Sequence, residues 1–259
     1  MKLSPKGIAI AASSAVVLAA AAAGAHLIYH RTPRPKVATI TDGEGTPIRV
    51  LKVGDTFQSA TYVDKEKRSE PVLEYYRTFD VLFDFGKSIN SVLMLGAGGC
   101  AWPSHVVADH PDVKVDAVEA SPKIAKLAKS HFFVDDLSKK ENFTLHVADA
   151  LEFLVATKED GTTYSAIVND CFDGKKPEKS LCDKSALKLV HDCLEDGGLY
   201  LVNVTSSKGK RSQNALKKTT KALNKTFKHV YTFPCTDEEF GQEDNFVLVA
   251  TDGDYQIEQ

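Results

Sequence analysis

The sequence predicts an α/β fold: a mostly parallel sheet with helices on both faces, closed by a C-terminal antiparallel hairpin and preceded by a small β-meander. Three observations carry this. Short apolar runs of strand length alternate with helical patterns from about residue 91 onward. The stretch Ser91 to Ser121, SVLMLGAGGCAWPSHVVADHPDVKVDAVEAS, supplies a strand, a glycine turn, an amphipathic segment and a second strand ending in an acid. Ahead of it, residues 37 to 64 alternate apolar and polar positions between turn signals, as a meander does.

The N-terminus differs in kind. From Gly7 to Tyr29 there is no Asp, Glu, Lys or Arg, and the run is long enough to span a bilayer. Small residues around Ala23-Gly24-Ala25 fit a cleaved secretory signal. The length of the run, continued through Leu27-Ile28-Tyr29, fits an uncleaved transmembrane helix. Lys2 and Lys6 precede the run and Arg31, Arg34 and Lys36 follow it, so charge lies on both sides. The small excess after the run and the free cysteines lean toward a membrane anchor with the following domain facing the cytoplasm, and secretion after cleavage is the alternative. The expected division is 1–30 anchor or signal, 31–69 linker and meander, and 70–259 nucleoside-binding domain.

Thr32 to Lys36, TPRPK, reads as an extended linker. Turn signals at Asp42-Gly43, Glu44-Gly45 and Gly54-Asp55 divide the meander into two to four strands, too few to fold alone, so it must pack on the larger domain C-terminal to it. Glu70 to Phe85 carries Val72, Leu73, Tyr76, Phe79, Leu82 and Phe83 at helical spacing. After the glycine turn a helix is expected from near Pro103, and after Glu119 another, with Ser121 as N-cap and Pro122 at its first position. Phe143 to Val147 and Tyr164 to Val168 read as further strands, the first succeeded by a helix from Leu151. Leu181 to Leu194 reads as a helix, Leu199 to Val204 as a strand, and Asn214 to Phe227 as a helix with a solvated lysine face. His229 to Phe233 and Asn245 to Ala250 complete the hairpin.

Composition narrows the function classes. At 259 residues the chain can bury one sizeable core, and its net charge of −3 gives no global affinity for polyanions, so nucleic acid is not an expected partner. Five cysteines, with no CxxC pair, read as free thiols, and no metal site is expected.

Chemistry is expected where a parallel sheet presents its strand ends. There stand Gly96 to Gly99, Glu119, Asp149 and Asp170, with Asp173 just beyond. Glycines let a backbone approach a ligand closely, and an acid about 20 residues on can accept hydrogen bonds from a ribose diol. The pattern is GxGG rather than GxGxxG, so a pyrophosphate is not specifically called for. Singly, each acid could be a loop residue or a helix cap, Asp149 in particular. Together they fit a nucleoside pocket.

LMLGAGGCAWP, VDAVEASP, HVADALEFL and YSAIVNDCFDG, in that order, resemble the core motifs of the spermidine synthase family, a branch of the class I S-adenosylmethionine-dependent methyltransferase fold. IRVLKVGDTFQSATYVD and EYYRTFD resemble that family's meander and tyrosine-bearing segment, so the likeness covers roughly residues 37 to 250. The resemblance implies a Rossmann-like sheet and a transferase that moves an aminopropyl group from decarboxylated S-adenosylmethionine to a polyamine-class amine, without a metal. It places Gly96, Gly98 and Gly99 beside the donor's tail, Glu119 and Ala120 at the ribose, and Asp149 and Ala150 at the adenine. It makes Asp170 the base, with Asp173 as helper, and puts Gln58, Tyr75 and Tyr76 around the acceptor. A homodimer is implied by resemblance alone.

The chain also departs from that pattern. Gly99 stands where the family's GGGDGG turn carries an aspartate that holds the donor's amine. DCFDG keeps two acids but lacks the family's proline, and KEKRSEPVLEYY mixes basic residues into an acidic segment. A methyltransferase using S-adenosylmethionine itself, or a non-catalytic nucleoside-binding scaffold, are the alternatives.

Overall fold

The computed structural model describes residues 34–54, 56–173, 176–177, 179–206, 210–235 and 244–255. Strands β1 (Pro35–Thr41), β2 (Pro47–Val53) and β3 (Thr56–Tyr62) form an antiparallel meander in the order β1-β2-β3. Ile48, Val50, Leu51 and Ala60 are its buried face and join the main core. The segment Glu70 to Phe85 is shorter in helix than its apolar spacing suggested. Helix α1 (Glu74–Phe79) passes into a 3-10 turn over Asp80–Phe83, and the chain leaves it at Gly86, which has φ of +71°.

The large sheet comes next. Its elements in chain order are β4 (Ser91–Leu95), α2 (Ala101–Asp109), β5 (Lys114–Glu119), α3 (Pro122–His131), α4 (Val134–Leu137), β6 (Phe143–Val147), α5 (Ala150–Glu159) and β7 (Tyr164–Asn169). After the two-residue strands β8 (Phe172–Asp173) and β9 (Lys176–Pro177) come α6 (Lys184–Asp192), β10 (Leu194–Ser206), α7 (Lys210–Leu223), β11 (His229–Cys235) and β12 (Asp244–Thr251). The seven strands lie in the order β11-β12-β10-β7-β4-β5-β6; β4, β5, β6, β7 and β10 run parallel, and β12 is antiparallel to both β10 and β11.

Period-two alternation explains why the central strands read as continuous apolar runs. Val92, Met94, Val115, Ala117, Ala166 and Val168 face the layer that holds α1, α2 and the meander. Leu93, Leu95, Val118 and Ile167 face the opposite layer with Leu154, Leu187, Val190 and Leu223 from helices α5, α6 and α7. Each fully buried Leu or Ile contributes about 1.5–3 kcal/mol. The helices start where their caps dictate: Ser121, Asp149 and Asp183 side chains each accept a backbone N–H from the first turn of the adjoining helix.

One expectation is corrected. The run from Gly7 to Tyr29, read as a membrane-spanning helix, lies outside the described residues, and among the described residues no helix is long and apolar enough to cross a membrane. The longest of them, α7, has 14 residues and carries Lys217, Lys218 and Lys221, whereas a span needs about 20 apolar ones. The transmembrane helix, the membrane as a partner, and the cytoplasm-facing or secreted placement built on that run are withdrawn.

Candidate functional site

The glycine turn after β4 is held from both sides. The N–H groups of Gly96 and Ala97 both donate to the Val118 carbonyl at 2.9 Å, and the Asp170 N–H donates to the Leu95 carbonyl at 2.9 Å. Gly96 has φ of +84°, and a β carbon there would lie 2.6 Å from the Asp170 carbonyl oxygen. Only glycine fits that combination. Gly98, at φ of +53°, passes under β3, where a β carbon would meet the Gln58 carbonyl oxygen at 3.2 Å. Gln58 is half-buried on that strand.

Glu119, at the end of β5, is 7% exposed. Its Oε2 accepts the Gly98 N–H at 2.9 Å and its Oε1 accepts the Ser121 N–H at 2.8 Å. Burial raises its pKa, and the two backbone donors oppose that shift. The carboxylate therefore fixes the turn, and each oxygen keeps a lone pair. Ala120 beside it is exposed. Asp149 is also exposed; its Oδ1 caps α5 by accepting from Leu151 N at 2.9 Å and Glu152 N at 3.1 Å, and Ala150 opens that helix.

Asp170, just past β7, lies between two donors. Asn203 Nδ2 on β10 donates to its Oδ1 at 2.7 Å, and the Tyr75 hydroxyl on α1 donates to its Oδ2 at 3.3 Å. Burial lifts the carboxyl to about 7, against the pull of those two hydrogen bonds. Burial likewise raises the Tyr75 and Tyr76 phenols, with the Asp170 charge adding to it, so both stay protonated as donors. Their rings lie 4.3 Å apart, and the contacts continue through Phe79 to the buried Trp102.

The structure thus brings Gly96, Gly98, Glu119, Asp170, Gln58 and Tyr75 around one turn through direct contacts. Asp149 and Ala150 sit at the end of a different strand, joined to the turn through β5. Asp173 lies on β8, whose backbone pairs with β9; its side chain lies outside the described residues. Gly99 is different from its neighbours. Its φ is not positive, yet a β carbon there would lie 2.8 Å from Ser59 Oγ and 2.9 Å from Phe132 Cδ1, so contacts rather than backbone conformation favour glycine.

Two residues were not expected from the sequence. Asn203 is 2% exposed inside the apolar run LYLVNV, and Ser59 is fully buried on β3. A lone polar residue within a strand that must be buried on both faces was the available signal for Asn203. Among the described residues, no group of three or more His, Cys, Asp or Glu side chains is placed to hold a metal ion.

A mostly parallel sheet in this strand order, with a reversed last strand and a glycine turn after β4, is a Rossmann-like α/β fold. The family model described as spermine/spermidine synthase domain matches residues 83–242, more than half of the sequence. The chain belongs to the spermine/spermidine synthase family. A polyamine aminopropyltransferase of Vibrio vulnificus is 24% identical over 156 residues, covering 60% of this chain and 51% of the relative. The chain spans about half or less of the length of the curated relatives it matches. Among solved structures, a probable spermidine synthase from Corynebacterium glutamicum superposes with a TM-score of 0.69 at 19% identity, covering 87% of this chain and 81% of the other. Human methyltransferase-like protein 13 in complex with SAH superposes at 0.58 with 21% identity, covering 68% of this chain and 81% of the other. At those identities the superpositions establish the fold.

Proposed function

We propose that this chain transfers an aminopropyl group from decarboxylated S-adenosylmethionine to an amine. The observation that supports this best is the Asp170 carboxyl: buried, held by Asn203 and Tyr75, and lifted to about 7 beside the glycine turn. An alkyl ammonium, with a pKa near 10, is not a nucleophile at neutral pH. Burial of Asp170 roughly halves its proton-transfer mismatch with such a group. The freed nitrogen lone pair attacks the carbon next to the sulfonium, the C–S bond breaks, and its electron pair stays on sulfur, leaving methylthioadenosine. The proton lost by the amine goes to Asp170 Oδ1 or Oδ2. Gly96 and Gly98 let the turn close against Asp170 and Gln58, which in this reading shapes the seat of the donor's tail, and the free lone pairs of Glu119 suit a ribose diol. In this reading Ala120 flanks the ribose, Asp149 and Ala150 flank the base, Asp173 assists Asp170, and Gln58 and Tyr76 line the acceptor side with Tyr75.

A second reading, methyl transfer from S-adenosylmethionine, is favoured by Gly99. Ser59 and Phe132 fill the space that an aspartate for the donor's amine would need. One experiment separates the two. The purified chain is incubated with each donor and a series of primary amines, and the thioether product is identified. Methylthioadenosine from the decarboxylated donor, lost on Asp170→Asn, supports aminopropyl transfer. S-adenosylhomocysteine alone moves the conclusion to methyl transfer, and neither product with either donor refutes both.

A further inference from the structure

The net charge of −3 conceals a segregation of charge along the chain. Between Asp196 and Asp237 stand eight Lys or Arg and no acid, so the other residues hold 24 Lys and Arg against 35 Asp and Glu. Helix α7 and the turn that closes it lie in this stretch. Leu216, Ala222 and Leu223 turn into the core, on the sheet face opposite the meander. Lys217, Lys218, Lys221 and Lys225 are exposed. Lys217 and Lys221 stand one turn apart and Lys225 one turn further, so the row runs about 12 Å along the axis.

Among the described residues, none of these four ammonium groups is paired with a carboxylate. Lys87, Lys114, Lys139, Lys158 and Lys188, by contrast, each stand 3.4 Å or less from one. Helices α5 and α6, on the same sheet face, mix acids with their lysines, as solvated helices do. Like charges one turn apart repel, and α7 carries them without relief. The chemistry of the face narrows the partner. Protein interfaces deplete lysine from their cores and rely on aromatic and arginine anchors. Asn214 to Thr226 contains no aromatic residue, and Phe227 beyond it is buried. The same lack removes the stacking platform that single-stranded nucleic acids use. What remains is a row of point charges, and a duplex backbone presents one negative charge per about 1.7 Å of its axis.

We propose that α7 docks this chain on the phosphate backbone of a nucleic-acid duplex without reading its sequence. The four lysines neutralise phosphates, and the counterions released drive binding. This role uses none of the residues assigned to group transfer and stands apart from that reading.

The test titrates the full chain into fluorescently labelled DNA and RNA duplexes of arbitrary sequence, followed by anisotropy between about 50 and 200 mM salt. Four neutralised phosphates give a log–log salt slope of about −3 to −4, a loss of about 10²-fold over that range. Such binding by either duplex supports the proposal, and the difference between the two names the source. Combining Lys217→Gln, Lys218→Gln, Lys221→Gln and Lys225→Gln, each a change to another good helix former, should cost about tenfold or more at the lower salt and flatten the slope. Combining Lys126→Gln, Lys129→Gln, Lys139→Gln and Lys140→Gln removes the same charge from exposed positions elsewhere. That control should change affinity by less than about threefold, because exposed charges beyond a Debye length are screened. Lys221→Gln alone, which should reduce the slope by about one, serves where the combined variant fails to fold. Equal losses in the two combined variants overturn the proposal. So does a wild-type protein that binds neither duplex at the lower salt, or that binds poly-glutamate as tightly as a duplex.

Discussion

Gly96 and Asp170 meet backbone to backbone: a β carbon on the glycine would lie 2.6 Å from the aspartate's carbonyl oxygen and 2.9 Å from the next residue's nitrogen. The turn and the carboxyl are thus one mechanical unit. Gly96→Ala would add left-handed strain of about 1–2 kcal/mol and push the end of β7 away. The expected outcome is a melting temperature lower by roughly 2–8 °C, at about 2–4 °C per kcal/mol for a domain of this size, with turnover lost. An alanine variant with unchanged melting and turnover would show that the close approach is not kept in solution.

Asp170 carries a pH signature of opposite sign to most carboxylates. Its folded pKa, near 7, lies above that of an unfolded aspartate, because burial disfavours the charge more than Asn203 and Tyr75 favour it. Between about pH 4 and pH 7 the folded chain holds a proton that the unfolded chain has released, so stability falls as pH rises through that window. Asp170→Asn removes the penalty and should melt several degrees higher than wild type at pH 8, with the difference shrinking at pH 4. Turnover in the wild type should rise with pH through about 7, and the variant should lose about 10²–10⁴-fold. Calorimetric scans and initial rates across that range check both; an advantage of the variant over wild type that is no larger at pH 8 than at pH 4 refutes the assignment.

A second pair links the helices beneath the site. Asp80 Oδ1 accepts from Trp102 Nε1 at 2.8 Å, and Oδ2 lies 2.9 Å from His105 Nε2. That hydrogen bond, with the Asp80 and Asp109 charges, raises the His105 pKa against the opposing effect of burial. For a raised histidine, the extra stability is fully present below the unfolded value of about 6.5 and is lost as pH rises through the folded value. Asp80→Ala should therefore cost more at pH 6 than at pH 9. At both pH values it leaves the Trp102 N–H orphaned, at about 1–3 kcal/mol. Urea unfolding followed by the fluorescence of this single tryptophan measures both terms, and an equal cost at the two pH values would exclude the charged pair.

Strand ends and turns were legible because they are written in local chemistry. Gly96 needs positive φ, Ser121-Pro122 is a cap with a helix-starting proline, and Val92 to Leu95 is too short and too apolar to be anything but a buried strand. Contacts between distant segments were not. Nothing adjacent to Asn203 reveals that its amide meets a carboxyl 33 residues earlier, or that Phe132 lies against Gly99. Two short elements escaped for a related reason. Helix α4 begins after Phe133, a non-glycine residue at φ of +61°, and the β8–β9 hairpin is only two residues wide, so neither carries a periodic pattern. Phe133 is instead covered by Arg68, whose guanidinium lies 3.5 Å from the ring centroid, a tertiary contact that no local rule anticipates.

Gly99 offers the sharpest probe of donor choice, because space rather than backbone conformation excludes a side chain there. Gly99→Asp alone should lower the melting temperature, since its β carbon would overlap the buried Ser59 and Phe132. Adding Ser59→Gly and Phe132→Leu opens the space and leaves a carboxylate beside the glycine turn. Both donors carry an ammonium that such a carboxylate attracts, but only S-adenosylmethionine also carries a carboxylate that it repels. The triple variant should therefore shift the ratio of affinities toward the decarboxylated donor by about tenfold or more, the equivalent of one close charge interaction near a protein surface. Calorimetric titration of both donors into both proteins gives the ratio directly. If it does not move in a variant that still binds methylthioadenosine, the donor's tail does not pass Gly99, and the methyl-transfer reading loses its supporting observation.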